Sequence, residues 1–304
     1  ETISGLTTTG SSILNNIEQM PESILFWRSM TQWIGGMGII VLTIAILPLL
    51  GVGGMELFAS EAPGPTKDKI HPRIKETAKR LWLIYVSLTL LQTTLLWVAD
   101  MSFFDALNHA LTTMSTGGFS TKQASIAHFT SPMIQYIIIL FMFLAGTNFT
   151  LLYFGSKLKF KKFWNNDEFN WYVMAVILLT FVVTPLVYFS LNTGVEESIR
   201  TALFQVVSII TTTGYASANY TEWGAFASFI FFLLLFSGAS AGSTSGGMKI
   251  VRITLLIKNG FLEFKRRLHP SAIIPVQLNG DGVAPKIIYN LLAFVFFYLF
   301  VFVS

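Results

Sequence analysis

"TTTG" occupies Thr7–Gly10, "STGG" occupies Ser115–Gly118, and "TTTG" returns at Thr211–Gly214. Each is a run of hydroxyl side chains closed by glycine, in a chain that is otherwise strongly apolar. Of its 304 residues 53% are hydrophobic and only 12% charged, with a mean hydropathy of +0.61. Aligned on the threonine–glycine step, Gly10, Gly117 and Gly214 lie 107 and then 97 residues apart. Such regular spacing of one polar phrase asks first for a test of internal repetition.

Windows free of Asp, Glu, Lys and Arg run over 29–55, 81–99, 123–156, 169–195, 223–248 and 287–304. Each holds a stretch near the roughly 20 residues that carry a helix across about 30 Å of hydrocarbon, so six membrane spans are expected. Two further uncharged windows, 106–121 and 201–221, contain phrases and are rich in Thr, Ser, Gly, Asn and Gln. They read as re-entrant segments, because non-helical backbone at membrane depth survives only when buried in protein or lining a wet cavity.

The isoelectric point near 9.2 invites a nucleic-acid reading, but the placement of the charge excludes it. Lys67, Lys69, Arg73, Lys75, Lys79 and Arg80 form one group. Lys157, Lys159, Lys161 and Lys162 form a second, and Lys249, Arg252, Lys258, Lys265, Arg266, Arg267 and Lys286 a third. Seventeen of the twenty basic residues thus fall in alternate connections, the positive-inside bias of a membrane protein. Arg28, Lys122 and Arg200 fall on the opposite side together with the phrases, which therefore dip in from outside. No cysteine occurs, so disulfides and thiolate metal sites drop out. The chain begins within an element at "ETISGLTTTG" and stops within the apolar "FVFVS", and is expected to be a piece of a longer protein.

From Arg73 the order is basic segment, span, "FFDALNHALTTM", phrase, outer loop, span; from Lys157 the same order runs again through "RTALFQVVSII". The expected fold is an all-α membrane protein of repeated outer helix, short pore helix, filter loop and inner helix. The repeats are placed at 1–60 (end of the first), 61–160, 161–270 and 271–304 (start of the fourth). Four such units close a ring around one path.

The phrase has the chemistry of a cation filter. An ion such as potassium sheds water only where oxygens replace it, and rings of backbone carbonyls do so. Glycine reaches positive φ without a Cβ penalty, which gives Gly10, Gly117 and Gly214 the permissive positions. Thr9, Thr116 and Thr213 precede them with further oxygens. The short helix before each phrase points its carbonyl end, where its dipole favours a cation, at the centre.

The phrases, with "WRSMTQWIGGMGI" (Trp27–Ile39), "MSTGGFST" (Met114–Thr121) and "SGASAGSTSGGMKIVR" (Ser237–Arg252), resemble the Trk/Ktr/HKT superfamily of potassium transporters, in particular its bacterial TrkH-type membrane subunits. The resemblance runs end to end. It implies potassium uptake across the bacterial cytoplasmic membrane, with no resident cofactor beyond the transported ion and no enzymatic activity. The implied ion-binding residues are Thr8, Thr9, Gly10, Ser115, Thr116, Gly117, Gly118, Thr212, Thr213, Gly214 and Tyr215. It further implies a homodimer among membrane lipids and a cytosolic nucleotide-binding regulator of the RCK type, for which Lys258–Arg267 offers a basic face. In some members serine at one filter glycine admits sodium; glycine at all three phrases matches the potassium pattern. A less selective Na+/K+ permease, or the pore subunit of a cation channel, is the alternative.

"SGASAGSTSGG" (Ser237–Gly247) interrupts the third inner helix with poor helix formers. A P-loop would need lysine directly after Gly247, where Met248 stands. A flexible segment beneath the filter can block or open the path, and the resemblance implies an intramembrane gate made of Ser237, Gly238, Ser240, Gly242, Ser243, Thr244, Ser245, Gly246 and Gly247. A weaker break is expected at Gly146–Asn148, and close helix packing at "WIGGMG". His71, His109, His128 and His269 have no partner at ligand spacing. Asp105, Glu196, Glu197 and Glu222 are placed to concentrate cations at the outer mouth. A one-filter chain assembling as a tetramer fails because three filters are present, and a membrane enzyme fails for want of a catalytic constellation.

Overall fold

A computed structural model describes residues 1–45, 74–269 and 274–304. The expected boundaries at 60/61 and 270/271, together with His71, Lys67, Lys69 and Arg73, lie outside the described residues.

The chain opens with a short helix α1 (Thr2–Leu6) and the first phrase, then the inner helix α2 (Glu22–Ala45). The second unit is α3 (Ile74–Val98), α4 (Phe103–Met114), the second phrase, α5 (Pro132–Ala145) and α6 (Phe149–Ser156). After α7 (Lys161–Trp164) the third unit follows as α8 (Asp167–Leu191), α9 (Val195–Ile210), the third phrase, α10 (Ala225–Leu234) and α11 (Ile250–Leu268). A two-residue turn joins β1 (Val276–Leu278) to β2 (Asp281–Val283), an antiparallel hairpin pairing Val276 with Val283, before α12 (Pro285–Val303).

Local chemistry sets these limits. The Ser102 hydroxyl accepts from the Asp105 amide at the start of α4, and Asn166 Oδ1 accepts from the Phe169 amide, 2.8 Å away, at the start of α8; both satisfy a helix-end donor that has no partner in the helix itself. Proline opens α5 and α12, where its missing N–H costs nothing.

Among the described residues three helices are long and apolar enough to cross a membrane: Ala78–Val98, Asp167–Leu191 and Pro285–Val303. The other expected spans include two that are broken, at the places where breaks were expected. α5 and α6 meet at a bend of 109° at Gly146–Asn148, so the weak break is a sharp one. The third inner helix splits into α10 and α11 around residues 235–249. α12 buries only 11% of its apolar window, and its Phe296, Phe297 and Phe300 are exposed.

The three outer basic residues each find an acid. Arg28 Nε lies 2.9 Å from Glu1, Lys122 Nζ 3.7 Å from Asp105, and Arg200 Nε 3.0 Å from Glu196. They neutralise partners on the phrase side and leave the charge bias of the other side intact. The core gathers around α9 and the third phrase (Phe204, Val207, Tyr215) and between α3, α4 and α5 (Tyr85, Met114, Phe141).

Candidate functional site

The three phrases fold into one structure. In each, the residue after the helix cap is a threonine in the left-handed region: Thr8 at φ 54°, Thr116 at 52° and Thr212 at 56°. Its amide returns to the residue three before it (Gly5, Thr113, Ile209), and the next amide returns to the residue five before it: Thr9 to Ser4, Gly117 to Thr112, Thr213 to Ser208, each 2.9 Å. This pair of bonds is the Schellman closure, which satisfies helix-end carbonyls. It normally uses glycine. A β-branched residue there costs about 1–3 kcal/mol, and such strain clusters at functional positions. Three copies mark the turn as one required backbone shape.

That shape corrects the register. The second left-handed residue is Gly10 (φ 76°), Gly118 (φ 77°) and Gly214 (φ 80°), so Gly118, and not Gly117, is the counterpart of Gly10 and Gly214. Gly117 takes the place of Thr9 and Thr213. Aligning on the threonine–glycine step misplaces the second phrase by one residue, because the helix end and not the letter pattern sets the register.

The turns meet side by side. An ideal Cβ on Gly10 would fall 2.1 Å from the Gly117 carbonyl oxygen, and one on Gly118 would fall 1.9 Å from that of Thr213; one on Gly214 would meet nothing within 4 Å. Gly10 and Gly118 therefore each admit the backbone of the following turn, and the three turns lie in succession. In the first and third turns a serine pins the strand after the glycine: Ser4 Oγ donates to Ser11 O and Ser208 Oγ to Tyr215 O, both at 2.7 Å. The second turn has Thr112 at that position, and its hydroxyl bonds Asn108 O and the Tyr215 hydroxyl instead.

Sequence reasoning missed the helix face that holds the second turn. Arg28, Gln32 and Gly36 recur every fourth residue along α2 and so share one face. The Arg28 guanidinium lies 4.3 Å from the Phe119 ring centroid and 3.4 Å from Ser120 O. Gln32, fully buried, donates from Nε2 to Gly117 O at 2.8 Å and accepts from the Phe119 amide at 3.1 Å. The Gly117 carbonyl, expected to face the path, is thus engaged by α2. A Cβ on Gly36 would lie 2.8 Å from Ser115 Cβ and 3.1 Å from the Tyr85 hydroxyl. One repeat later, a Cβ on Gly146 would lie 2.7 Å from both Thr211 Cγ2 and the Tyr172 hydroxyl. Tyr85 donates to Trp33 O and stacks on Trp33; Tyr172 donates to Phe143 O and stacks on Phe143. The uncharged polar Gln32 inside an apolar window was the available signal. Close packing at "WIGGMG" holds for Gly36 and for Gly35, whose Cβ would meet Leu6 O at 2.2 Å.

Ser237–Gly247 packs against the third turn and the end of α4. Its mouth is closed by a parallel bridge between Ser237 and Met248. The Gly246 amide donates to Thr212 Oγ1 at 2.6 Å, and Thr244 Oγ1 donates to Met114 O at 3.0 Å and Ala145 O at 3.2 Å. The broken α5–α6 span pairs with it: the Ser240 amide donates to Gly146 O and the Phe149 amide to Gly242 O, both at 3.0 Å. The Ala241 amide donates to Glu168 Oε1 at 2.6 Å, and Ser243 and Ser245 share a bond of 2.9 Å. Ser240, Ser243, Thr244 and Ser245 are buried while Gly242, Gly246 and Gly247 are exposed. Loose flexibility was expected; the loop is instead tied to the third turn, to α4, to the α5–α6 pair and to α8 by backbone as well as hydroxyl bonds.

His109 is buried, with Nδ1 at 2.7 Å from Asp105 O and Nε2 at 2.9 Å from Ser120 Oγ, so it staples α4 to the strand after the second turn. Among the described residues no group of three His, Cys, Asp or Glu comes together. Of the outer acids, Asp105 accepts from Thr121, Glu196 from Tyr136 and Arg200, and Glu222 from Asn219.

Helix, re-entrant helix, strained turn and inner helix, repeated around a shared contact, define a multi-pass membrane protein of the pore-loop class. The chain belongs to the TrkH cation transport protein family, whose model matches residues 1–304. It is 44% identical over 308 residues to the Trk system potassium uptake protein TrkH of Escherichia coli K12, covering all of this chain and 63% of that one. It is 34% identical to TrkG of the same strain over 98% of this chain and 62% of the relative. The crystal structure of the potassium transporter TrkH from Vibrio parahaemolyticus superposes with a TM-score of 0.86 at 39% identity, over 99% of this chain and 62% of that one. The chain spans somewhat under two thirds of the length of these relatives.

Proposed function

We propose that this chain forms most of a potassium-selective pore in a bacterial cytoplasmic membrane, with the three turns as filter strands and Ser237–Gly247 as the gate. The observation that carries the reading is the succession of lateral contacts, Gly10 to the Gly117 carbonyl and Gly118 to the Thr213 carbonyl. Equivalent strands placed edge to edge about one line supply oxygens at repeated heights, as selection for a desolvated cation requires. The succession leaves Gly214 to face a fourth strand, from a repeat that α12 begins. The repeats divide at 1–60, 61–160, 161–270 and 271–304.

The ion-binding set is Thr8, Thr9, Gly10, Ser115, Thr116, Gly117, Gly118, Thr212, Thr213, Gly214 and Tyr215, with Tyr215 and Gly117 acting through neighbours. The loop gates because its bonds to Thr212 and Met114 hold it against the inner end of the strands. Regulation falls to a cytosolic RCK-type subunit acting on a homodimer. Lys258 bonds Asp167 and Gln277 O, and Arg266 bonds Ile274 O, which narrows the docking face to the exposed Lys265 and Arg267.

Bi-ionic flux through the intact protein in proteoliposomes tests the reading. Wild type should carry K+ well ahead of Na+. Gly118→Ser, which sets a Cβ into the Thr213 carbonyl at positive φ, should cut that preference at least about tenfold, or about 1.4 kcal/mol. Equal K+ and Na+ flux in wild type would leave the less selective permease in its place.

A further inference from the structure

The second turn differs from the other two in three coupled ways. Where they have threonine (Thr9, Thr213) it has Gly117, and the serine clamp of Ser4 and Ser208 is replaced by Thr112, whose hydroxyl is used elsewhere. Among the described residues it alone of the three receives a side-chain amide from an inner helix, on Gly117 O and the Phe119 amide. The backbone does not demand glycine at 117, because its φ is not in the left-handed region that Gly10, Gly118 and Gly214 occupy. What excludes a side chain is Gln32: a Cβ on Gly117 would fall 2.3 Å from Gln32 Cδ, 2.5 Å from Oε1 and 2.7 Å from Nε2. Counting back four residues from the equivalent glycines Gly36 and Gly146 places Met142, buried and apolar, at the position of Gln32 in the next repeat. There the facing turn carries Thr213.

We infer that Gln32 is the positioning residue of the second filter strand and that Gln32 and Gly117 are a matched pair, the amide standing where the other strands have a threonine side chain and a serine clamp. The amide donates to a carbonyl and accepts from an N–H, an orientation those two partners dictate. Both partners are buried, so removing the amide strands a donor and an acceptor at once, and unsatisfied buried groups are costly. Freed from α2, the Gly117 carbonyl can turn, and with it the strand that Gly10 packs against. Gln32 thereby fixes the spacing of the first two strands, on which discrimination between K+ and Na+ depends. The selectivity consequence rests on the pore reading; the pairing itself does not.

The test uses the intact protein with Gln32→Met, Gly117→Thr and the double variant, the last copying the Met142 and Thr213 arrangement. Two quantities are measured: the thermal midpoint in detergent, and the K+ to Na+ flux ratio in proteoliposomes. Gly117→Thr should melt lower by roughly 5 °C or fail to accumulate, and adding Gln32→Met should restore most of the loss. Equal behaviour of Gly117→Thr with and without Gln32→Met, whether both fold or neither does, overturns the pairing. Gln32→Met alone should accumulate and lower the flux ratio about tenfold, whereas a side chain that only fills space would leave the ratio at the wild-type value, and that result overturns the positioning role. If wild type itself showed no K+ preference, the pore reading would fail while the melting comparison still decided the pair.

Discussion

The three turns are alike, and the three helices that follow them are not. Each turn ends a helix with the same two backbone bonds, the same strained threonine and the same left-handed glycine. Gly36 and Gly146 stand at corresponding places, yet α2 passes Gly36 unbroken and α5 bends by 109° after Gly146, while α10 gives way before Gly238 to a loop reaching Met248. Backbone shape is repeated where an ion would be coordinated and varied where the path would be opened. The residues after each glycine account for the divergence. "GMGIIVL" has no side chain that caps or replaces the helix bonds, "TNFTLL" offers Asn148 as a new cap that accepts from the Thr150 amide, and "ASAGSTSGG" supplies hydroxyls that bond the loop to itself and its neighbours in place of helix bonds.

The largest effect should come from the loop. Deleting Gly242–Gly246 in the intact protein removes the bonds to Thr212, Met114 and Ala145, and should raise K+ flux about tenfold or more while the K+ to Na+ ratio holds, since closing contacts worth about 1.4 kcal/mol already shift an equilibrium tenfold. Loss of selectivity along with the increase would show that loop and filter are one unit and break the comparison.

A smaller effect separates the inner helices. Gly36→Ala and Gly146→Ala each drive a Cβ into the cap residue of the following turn and a tyrosine hydroxyl, which should destabilise by about 1–3 kcal/mol. Gly38→Ala, with nothing within 4 Å of its Cβ, should be neutral or slightly stabilising, as alanine favours helix. Thermal midpoints of the three variants check this, and a harmless Gly146→Ala would separate the bent helix from the straight one.

The smallest effect is at the outer mouth. Burial pushes the Asp105 carboxyl up, but hydrogen bonds from Thr121 and Ser102 and the charge of Lys122 outweigh it and hold its pKa below the ordinary value of 3.8. A depressed pKa gives stability that is present above the unfolded value and lost as pH falls through the folded one. Asp105→Asn should therefore make the fall in thermal midpoint on acidification below about pH 4 slightly shallower; an unchanged acid limb would remove Asp105 from the strand's supports.

Much of this was legible in the sequence. Charge-free windows marked the long apolar helices, and the hydroxyl–glycine phrases and "SGASAGSTSGG" marked the turns and the loop. Three features were not. The register of the second turn depends on which carbonyl ends α4, Thr112 or its neighbour, and "STGG" offers two glycines for one left-handed position. Gln32 is one neutral residue in an apolar window, and its meaning appears only when α2 is laid against Phe119. The loop's order is invisible to composition, because serine and glycine read as flexible until Thr244 and Gly246 find Met114 and Thr212.

Anomalous diffraction from crystals of the intact protein grown with Rb+ in place of K+ tests the central claim most directly. The account predicts Rb+ density on the line enclosed by the turns at Thr8–Gly10, Thr116–Gly118 and Thr212–Gly214, and none within the Ser237–Gly247 loop. Rb+ bound only elsewhere, with the space between the three turns empty, would contradict it.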